Sequence, residues 1–165
     1  MLAKRAVIVV VALLVSACGY HLRGAFALPA AMKSIYLEGG SGALRDQFKQ
    51  MVASSSGKLA SSPQGAGLIV RILSEENNRR TLSLSSGGKS NEFELYYRLE
   101  YELANAGNAV LMERQPIEIR REYYNDQTAV QAKENEEIVI RGEMYQQAVR
   151  TIVNRARVVL EAGAK

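Results

Sequence analysis

The residue types that do covalent chemistry are scarce in this chain and sit close together. The only cysteine, Cys18, and the only histidine, His21, both lie in VSACGYHLRG, Val15 to Gly24. Ser16 and Ala17 put small side chains directly before Cys18, with Val15 ahead of them. A signal peptidase needs small side chains beside the scissile bond, and a thiol just after that bond can be alkylated with diacylglycerol. Val15-Ser16-Ala17-Cys18 therefore resembles a bacterial lipobox and marks Cys18 as a lipidation site. Gly19 follows it; an acidic residue there would resemble an inner-membrane retention signal, so the outer membrane is the expected destination. Once acylated, Cys18 leaves no thiol for a disulfide even in an oxidising periplasm.

Other chemistries lack their parts. A metal site needs companions for His21 at ligand spacing, and there is no second His and no other Cys. The glycines around Gly40 form neither a GxGxxG nor a Walker pattern. Glu75-Glu76 and Glu136-Glu137 have the residue type for acid–base work, but read as surface charge. Tyr123 and Tyr124 could stack a sugar, yet as neighbours on a strand one of them must point inward. No catalytic residue, metal ligand or cofactor is expected, and the chain reads as a non-enzyme.

These residues are positioned by a leader, a tether and one domain. Lys4 and Arg5 precede an apolar run from Ala6 to Val15, a positive start and a short hydrophobic stretch typical of an export signal. The run is about half of the ~20 residues needed to span a bilayer. The expected division is 1–17 signal peptide, 18–32 lipidated tether and 33–162 folded domain. Each buried methylene contributes about 0.8 kcal/mol and stable anchoring takes about two chains, so a tri-acylated Cys18 holds the chain to a membrane without a spanning helix. Apolar residues make up 47% of the 165, enough for a packed core. Two of the cations, Lys4 and Arg5, lie in the leader, so the net charge of +4 falls to +2 in the mature chain. That balance gives no case for nucleic acid.

Within the domain, Ser34 to Leu37 reads as a first strand ended by Gly39 and Gly40. Ser41 is placed to cap a helix from Gly42 to about Ser54, with Leu44, Phe48, Met51 and Val52 on one face. Ser54 to Gly67 is a loop by composition, with room for a short strand at Lys58 to Ala60. Leu68 to Leu84 has strand character at both ends and a polar middle. Phe93, Leu95, Tyr97, Leu99, Tyr101 and Leu103 alternate with Glu92, Glu94, Tyr96, Arg98, Glu100 and Glu102, which predicts a strand with one buried and one wet face. Ala109 to Tyr124 follows as a strand, and Pro116 suggests an edge position or a bulge. From about Gln127 to Glu161 the pattern is helical, with Ile138, Tyr145, Ala148, Ile152, Ala156, Val159 and Leu160 as the apolar stripe. The order β-α-β-β-β-α implies an α+β, two-layer sandwich: a four-stranded mixed sheet with two helices on one face. The first two strands, joined by a helix, would be parallel.

CGYHLRG, Cys18 to Gly24, resembles the mature start of LptE, the LPS-assembly lipoprotein family, which opens with a lipidated Cys, Gly, an aromatic residue and His-Leu-Arg. The similarity continues in Leu28-Pro29, SIYLEG, NEFELYYRLEYEL, RREYYND, QAKENEE and the helix around Arg141 to Tyr145. It covers most of the chain from Cys18 to about Leu160. The resemblance implies an α/β sandwich seated inside the large outer-membrane β-barrel LptD as the plug of an LPS translocon. Such a noncatalytic subunit aids barrel assembly and binds lipopolysaccharide, lipid-anchored at the periplasmic face of the cell outer membrane. The alternative is a generic outer-membrane lipoprotein that binds or activates a periplasmic cell-wall enzyme. The resemblance places an LPS-binding basic residue at Lys133. A second such position aligns near Ser86, where this chain has no charge, so Lys89, or Arg79 or Arg80 across the hairpin, is expected to take its place. Some family members carry a long polar C-terminal tail, and no role of that tail is expected here.

Overall fold

The first strand, β1 (Ser34–Glu38), buries Ile35 and Leu37 and turns Tyr36 and Glu38 to the opposite face. Gly39 and Gly40 end it with φ of 79° and 78°, a left-handed turn that a β-carbon would strain. Ser41 then caps helix α1 (Gly42–Ser54), its Oγ accepting the Leu44 N–H at 3.2 Å. Leu44, Phe48 and Val52 recur every fourth residue, so α1 lays one apolar stripe on the sheet. This computed structural model describes residues 28–125 and 130–163. Cys18, His21, the leader and most of the tether lie outside the described residues. Met32, which the sequence assigned to the tether, is fully buried in the core.

The sheet order is β2-β1-β3-β4-β5, from β2 (Lys58–Leu59), β3 (Leu68–Leu84), β4 (Ser90–Ala104) and β5 (Val110–Tyr124). β1 and β3 are parallel, as their helical connection implies, and β3, β4 and β5 form an antiparallel meander. Helix α2 (Val130–Gly163) lies beside α1 on the same face of the sheet. The two-layer α+β class holds, but the sheet has five strands rather than four. β2 pairs with β1 through two residues only, Ser34 with Lys58 and Ile35 with Leu59. Two residues show no alternation, so composition registers them as loop.

β4 carries the core as its alternation predicts. Leu95, Tyr97, Leu99, Tyr101 and Leu103 are buried against the helices. Glu94 departs from the pattern: it lies on the opposite face yet is 4% exposed, covered by neighbouring long side chains. β5 is an edge strand, which tolerates Pro116 because a proline nitrogen needs no ladder partner there.

β3 explains its own mixed sequence. Its register against β4 shifts between Ile72 and Ser74, leaving Leu73 as an extra residue. Before the bulge Leu68 and Val70 face the helices. After it, Glu75, Asn77 and Arg79 do, because one inserted residue exchanges the two faces. The polar middle of β3 therefore continues the strand. It is a strand segment directed at polar partners.

Helix α2 buries Met144, Ala148, Val149, Ile152 and Ala156. The predicted stripe was wrong at Ile138, which is 68% exposed. Continuing the buried face back from Ala148 by helical spacing leads to Met144, Arg141 and Glu137, so polar residues occupy that face in the first turns of α2.

Candidate functional site

The register exchange in β3 builds a polar cluster where the apolar core ends. Glu75 receives the Tyr97 hydroxyl at 3.0 Å and the Ser41 hydroxyl at 2.8 Å, with the Ser41 N–H at 2.6 Å. The residue that caps α1 is thereby tied to β3. Burial, reinforced by the Glu75 carboxylate, pushes the Tyr97 phenol up. One step further out, Asn77 donates to the Tyr145 hydroxyl at 2.6 Å and accepts from Arg141.

Glu137 is the hub. It accepts the Tyr123 hydroxyl at 2.6 Å, Arg79 Nη1 at 2.8 Å and Arg141 Nε at 2.8 Å, with its side chain 16% exposed. Burial pushes its carboxyl up, but the hydrogen bonds from Tyr123, Arg141 and Arg79 outweigh burial and hold its pKa below the usual carboxylate range. Arg79 also lies 4.7 Å over the Phe93 ring, and Phe93 packs on Tyr123 at 5.6 Å. Glu75 and Glu137, which read as surface charge in the sequence, are half-buried ties between the two layers.

A pocket opens at this pole, lined by Arg79, Phe93, Tyr123, Asn125, Lys133 and the carboxylates Glu134 and Glu137. The structure thus brings Lys133 and Arg79 together. Lys133 is half-buried, ion-paired with Glu136 at 2.6 Å and 6.0 Å from the Tyr124 ring centre. Lys89 sits at the tip of the β3–β4 hairpin on the same end of the sheet, exposed, its backbone closing the turn from Ser85. Arg80 does not join them. Strand alternation turns it to the other face, where it pairs with Glu94 at 2.6 Å. Arg141, Asn77 and Tyr145 were missed as members of the cluster. The i,i+4 spacing of Glu137 and Arg141 was a visible signal; the bulge that turns Asn77 inward was not.

Among the described residues no helix covers the opposite face of the sheet. It is a ladder of arginines and glutamates. Arg71 bonds Glu38 at 2.8 Å, Asn108 at 2.7 Å and Glu102. Arg98 and Arg114 reach Glu100 at 2.9 and 3.2 Å, and Arg120 lies 3.8 Å from Glu118 and 5.3 Å from the Tyr96 ring centre.

Chemically, both surfaces present paired charges and hydrogen-bonding groups. Hydrogen bonds from Tyr123, Arg141 and Arg79 hold the Glu137 carboxyl below the usual carboxylate range, which is the opposite of what a general acid requires. Among the described residues no group of three His, Cys, Asp or Glu side chains is placed to hold a metal ion, and no helix is long and apolar enough to cross a membrane.

Known proteins share both the sequence and this fold. The family model described as LptE, lipopolysaccharide-assembly, matches residues 32–156. The LPS-assembly lipoprotein LptE of Yersinia enterocolitica is 28% identical over 156 residues, 93% of this chain and 74% of that protein. Its counterpart from Pectobacterium atrosepticum is 25% identical over 148 residues, 87% of this chain and 78% of that one. Among solved structures, an uncharacterized lipoprotein B from Nitrosomonas europaea superposes with a TM-score of 0.70 at 28% identity, covering 88% of this chain and 94% of that one. The rare lipoprotein B from Shewanella oneidensis gives 0.63 at 24% identity, covering 79% and 98%. With the match running from the buried Met32 at the start of the sandwich to the buried Ala156 on α2, this chain belongs to the LptE family of lipopolysaccharide-assembly lipoproteins.

Proposed function

We propose that this protein is the noncatalytic plug subunit of an LPS translocon, anchored through Cys18 to the periplasmic side of the outer membrane, which seats inside the LptD β-barrel, aids its assembly and binds LPS. The observation that carries the proposal is the bare sheet face. A four-strand-wide surface of glutamates and arginines, with no helix of the described residues over it, suits the polar lumen of an outer-membrane barrel. The polar cluster at the far pole then offers Lys133, Lys89 and Arg79 to the phosphates of lipid A. Lys133 must exchange Glu136 for phosphate. A partly exposed i,i+3 pair contributes little, about 0.3–0.5 kcal/mol, so the exchange is energetically open.

A photo-crosslinker in place of Glu118, whose side chain is 45% exposed, or of Ser61 on the exposed loop tests the seating in living cells. Capture of the large barrel from either position is the expected result. Capture of soluble cell-wall enzymes alone would replace the plug with the generic lipoprotein alternative. Glu94, a third position suggested by alternation, is buried and unsuitable.

A further inference from the structure

The helix-free face carries a charge imbalance of its own. Its guanidiniums, from Arg71, Arg80, Arg98, Arg114 and Arg120, are each engaged by a carboxylate of the same face. Glu76, Glu92 and Glu122 have no cation partner among the described residues; Glu92 accepts only the Ser83 hydroxyl, at 2.7 Å. Lys58 of the two-residue β2 is the one lysine in the strands, although the chain without Lys4 and Arg5 is positive at +2. The sheet face is therefore acidic and the rest of the molecule more basic than its average.

A second observation concerns one row of the ladder. Glu94 on β4 is paired in register with Glu122 on β5. Like charges directly opposite on neighbouring strands destabilise a sheet. Among the described residues one guanidinium, Arg80, ion-pairs with this couple; it lies 2.6 Å from Glu94 Oε1, yet that oxygen is buried without a well-aligned hydrogen bond. The row also borders a pocket on the sheet face, lined by Asn78, Arg80, Glu94, Tyr96 and Arg120, the last engaged by Glu118. A local conflict of this kind persists where a partner resolves it.

We propose that this face docks against a basic polypeptide wall, with arginine or lysine side chains of the partner completing Glu122, Glu76 and Glu92. The proposal rests on the barrel reading above and identifies the chemistry of the lumen wall that faces the sheet: a stripe with an excess of cations. Anionic lipid is the wrong occupant, because uncompensated carboxylates repel phosphate. The sheet face and the basic pole are thus divided between two partners of opposite charge.

The test uses the full-length lipoprotein co-expressed with its barrel and purified in mild detergent. Glu122→Lys combined with Glu76→Lys should reduce the co-purified barrel at least tenfold, and the surviving complex should dissociate at lower salt than wild type. Glu143→Lys, on the exposed side of α2, should leave the yield unchanged. The unfolding midpoint of Glu122→Lys alone should not fall, since that reversal relieves repulsion at Glu94, whereas Glu76→Lys faces Arg98 across the ladder. Wild-type retention of the barrel at every salt concentration, with a crosslinker at Glu118 still capturing it, overturns this inference and leaves the plug reading standing. Absence of the barrel from every crosslink overturns both.

Discussion

Replacing Glu137 by alanine tests whether the polar hub holds α2 to the sheet. The carboxylate accepts from Tyr123, Arg79 and Arg141, and each charge-assisted bond measured alone is worth about 1.5–3 kcal/mol. The sum is not realised. Arg79 is half exposed and water resolvates it after the substitution, while Arg141, a quarter exposed, recovers less. The expected loss is about 2–3 kcal/mol at pH 7, read by urea unfolding of the mature chain. The pH dependence supplies a sharper criterion. In the fold Glu137 titrates below its ordinary value, and in the unfolded chain near about 4.3. A depressed folded pKa gives stability that is complete above the unfolded pKa and is lost as pH falls through the folded one. The gap between wild type and Glu137→Ala should therefore be widest near neutrality, begin to narrow as pH falls below about 4.3 and be lost as pH falls through the folded value. Glu134→Ala, an exposed neighbour, should stay within about 0.5 kcal/mol at either pH. A Glu137→Ala loss no larger than that of Glu134→Ala, or equal at pH 7 and pH 3, would refute the hub.

Leu99 is fully buried, so Leu99→Ala should lose about 2–5 kcal/mol, against about 0.5 kcal/mol or less for the exposed Glu118→Ala; equal losses by chemical unfolding would break the assigned register. Glu100 is the poorer comparison, because it holds two guanidiniums at 16% exposure. Lys133→Asp, alone and with Lys89→Asp, should weaken LPS binding tenfold or more at fixed salt while the barrel still co-purifies. Wild-type binding by both variants would move the LPS site elsewhere. Cys18→Ala should accumulate unprocessed precursor, and intact mass should show no lipid; a wild-type chain beginning at another residue would sink the lipobox assignment.

The sequence spoke clearly wherever one periodicity ran unbroken. Six apolar residues at alternate positions from Phe93 to Leu103 gave β4 its faces, and Ser41 with its Gly-Gly turn gave the start of α1 to the residue. It spoke poorly where a single residue changed the phase. The bulge at Leu73 exchanges the faces of β3, so Glu75, Asn77 and Arg79 look like loop polarity until their partners on β4 and α2 are known. Ile138 failed for a related reason: polar Glu137 and Arg141 hold the face that an apolar count awards to Ile138. The site was half legible. Lys133 came from the family resemblance and Arg79 from the hairpin, but which of Arg79 and Arg80 shares its pocket depends on the phase of the strand.

That phase also explains how one strand serves two surfaces. Arg79 and Arg80 are adjacent, so alternation must send one to the basic pole beside Lys133 and the other to the acidic sheet face beside Glu94. Without the extra residue at Leu73, the faces beyond it would be exchanged. Arg79 would leave Glu137, Glu75 would leave Tyr97 and Ser41, and Glu76 would be carried toward the helices. The bulge thus does more than bend the strand. It sets the charge of both faces at once, placing Glu75 where it buttresses the cap of α1, Arg79 where it meets Glu137 of α2, and Glu76 on the opposite sheet face.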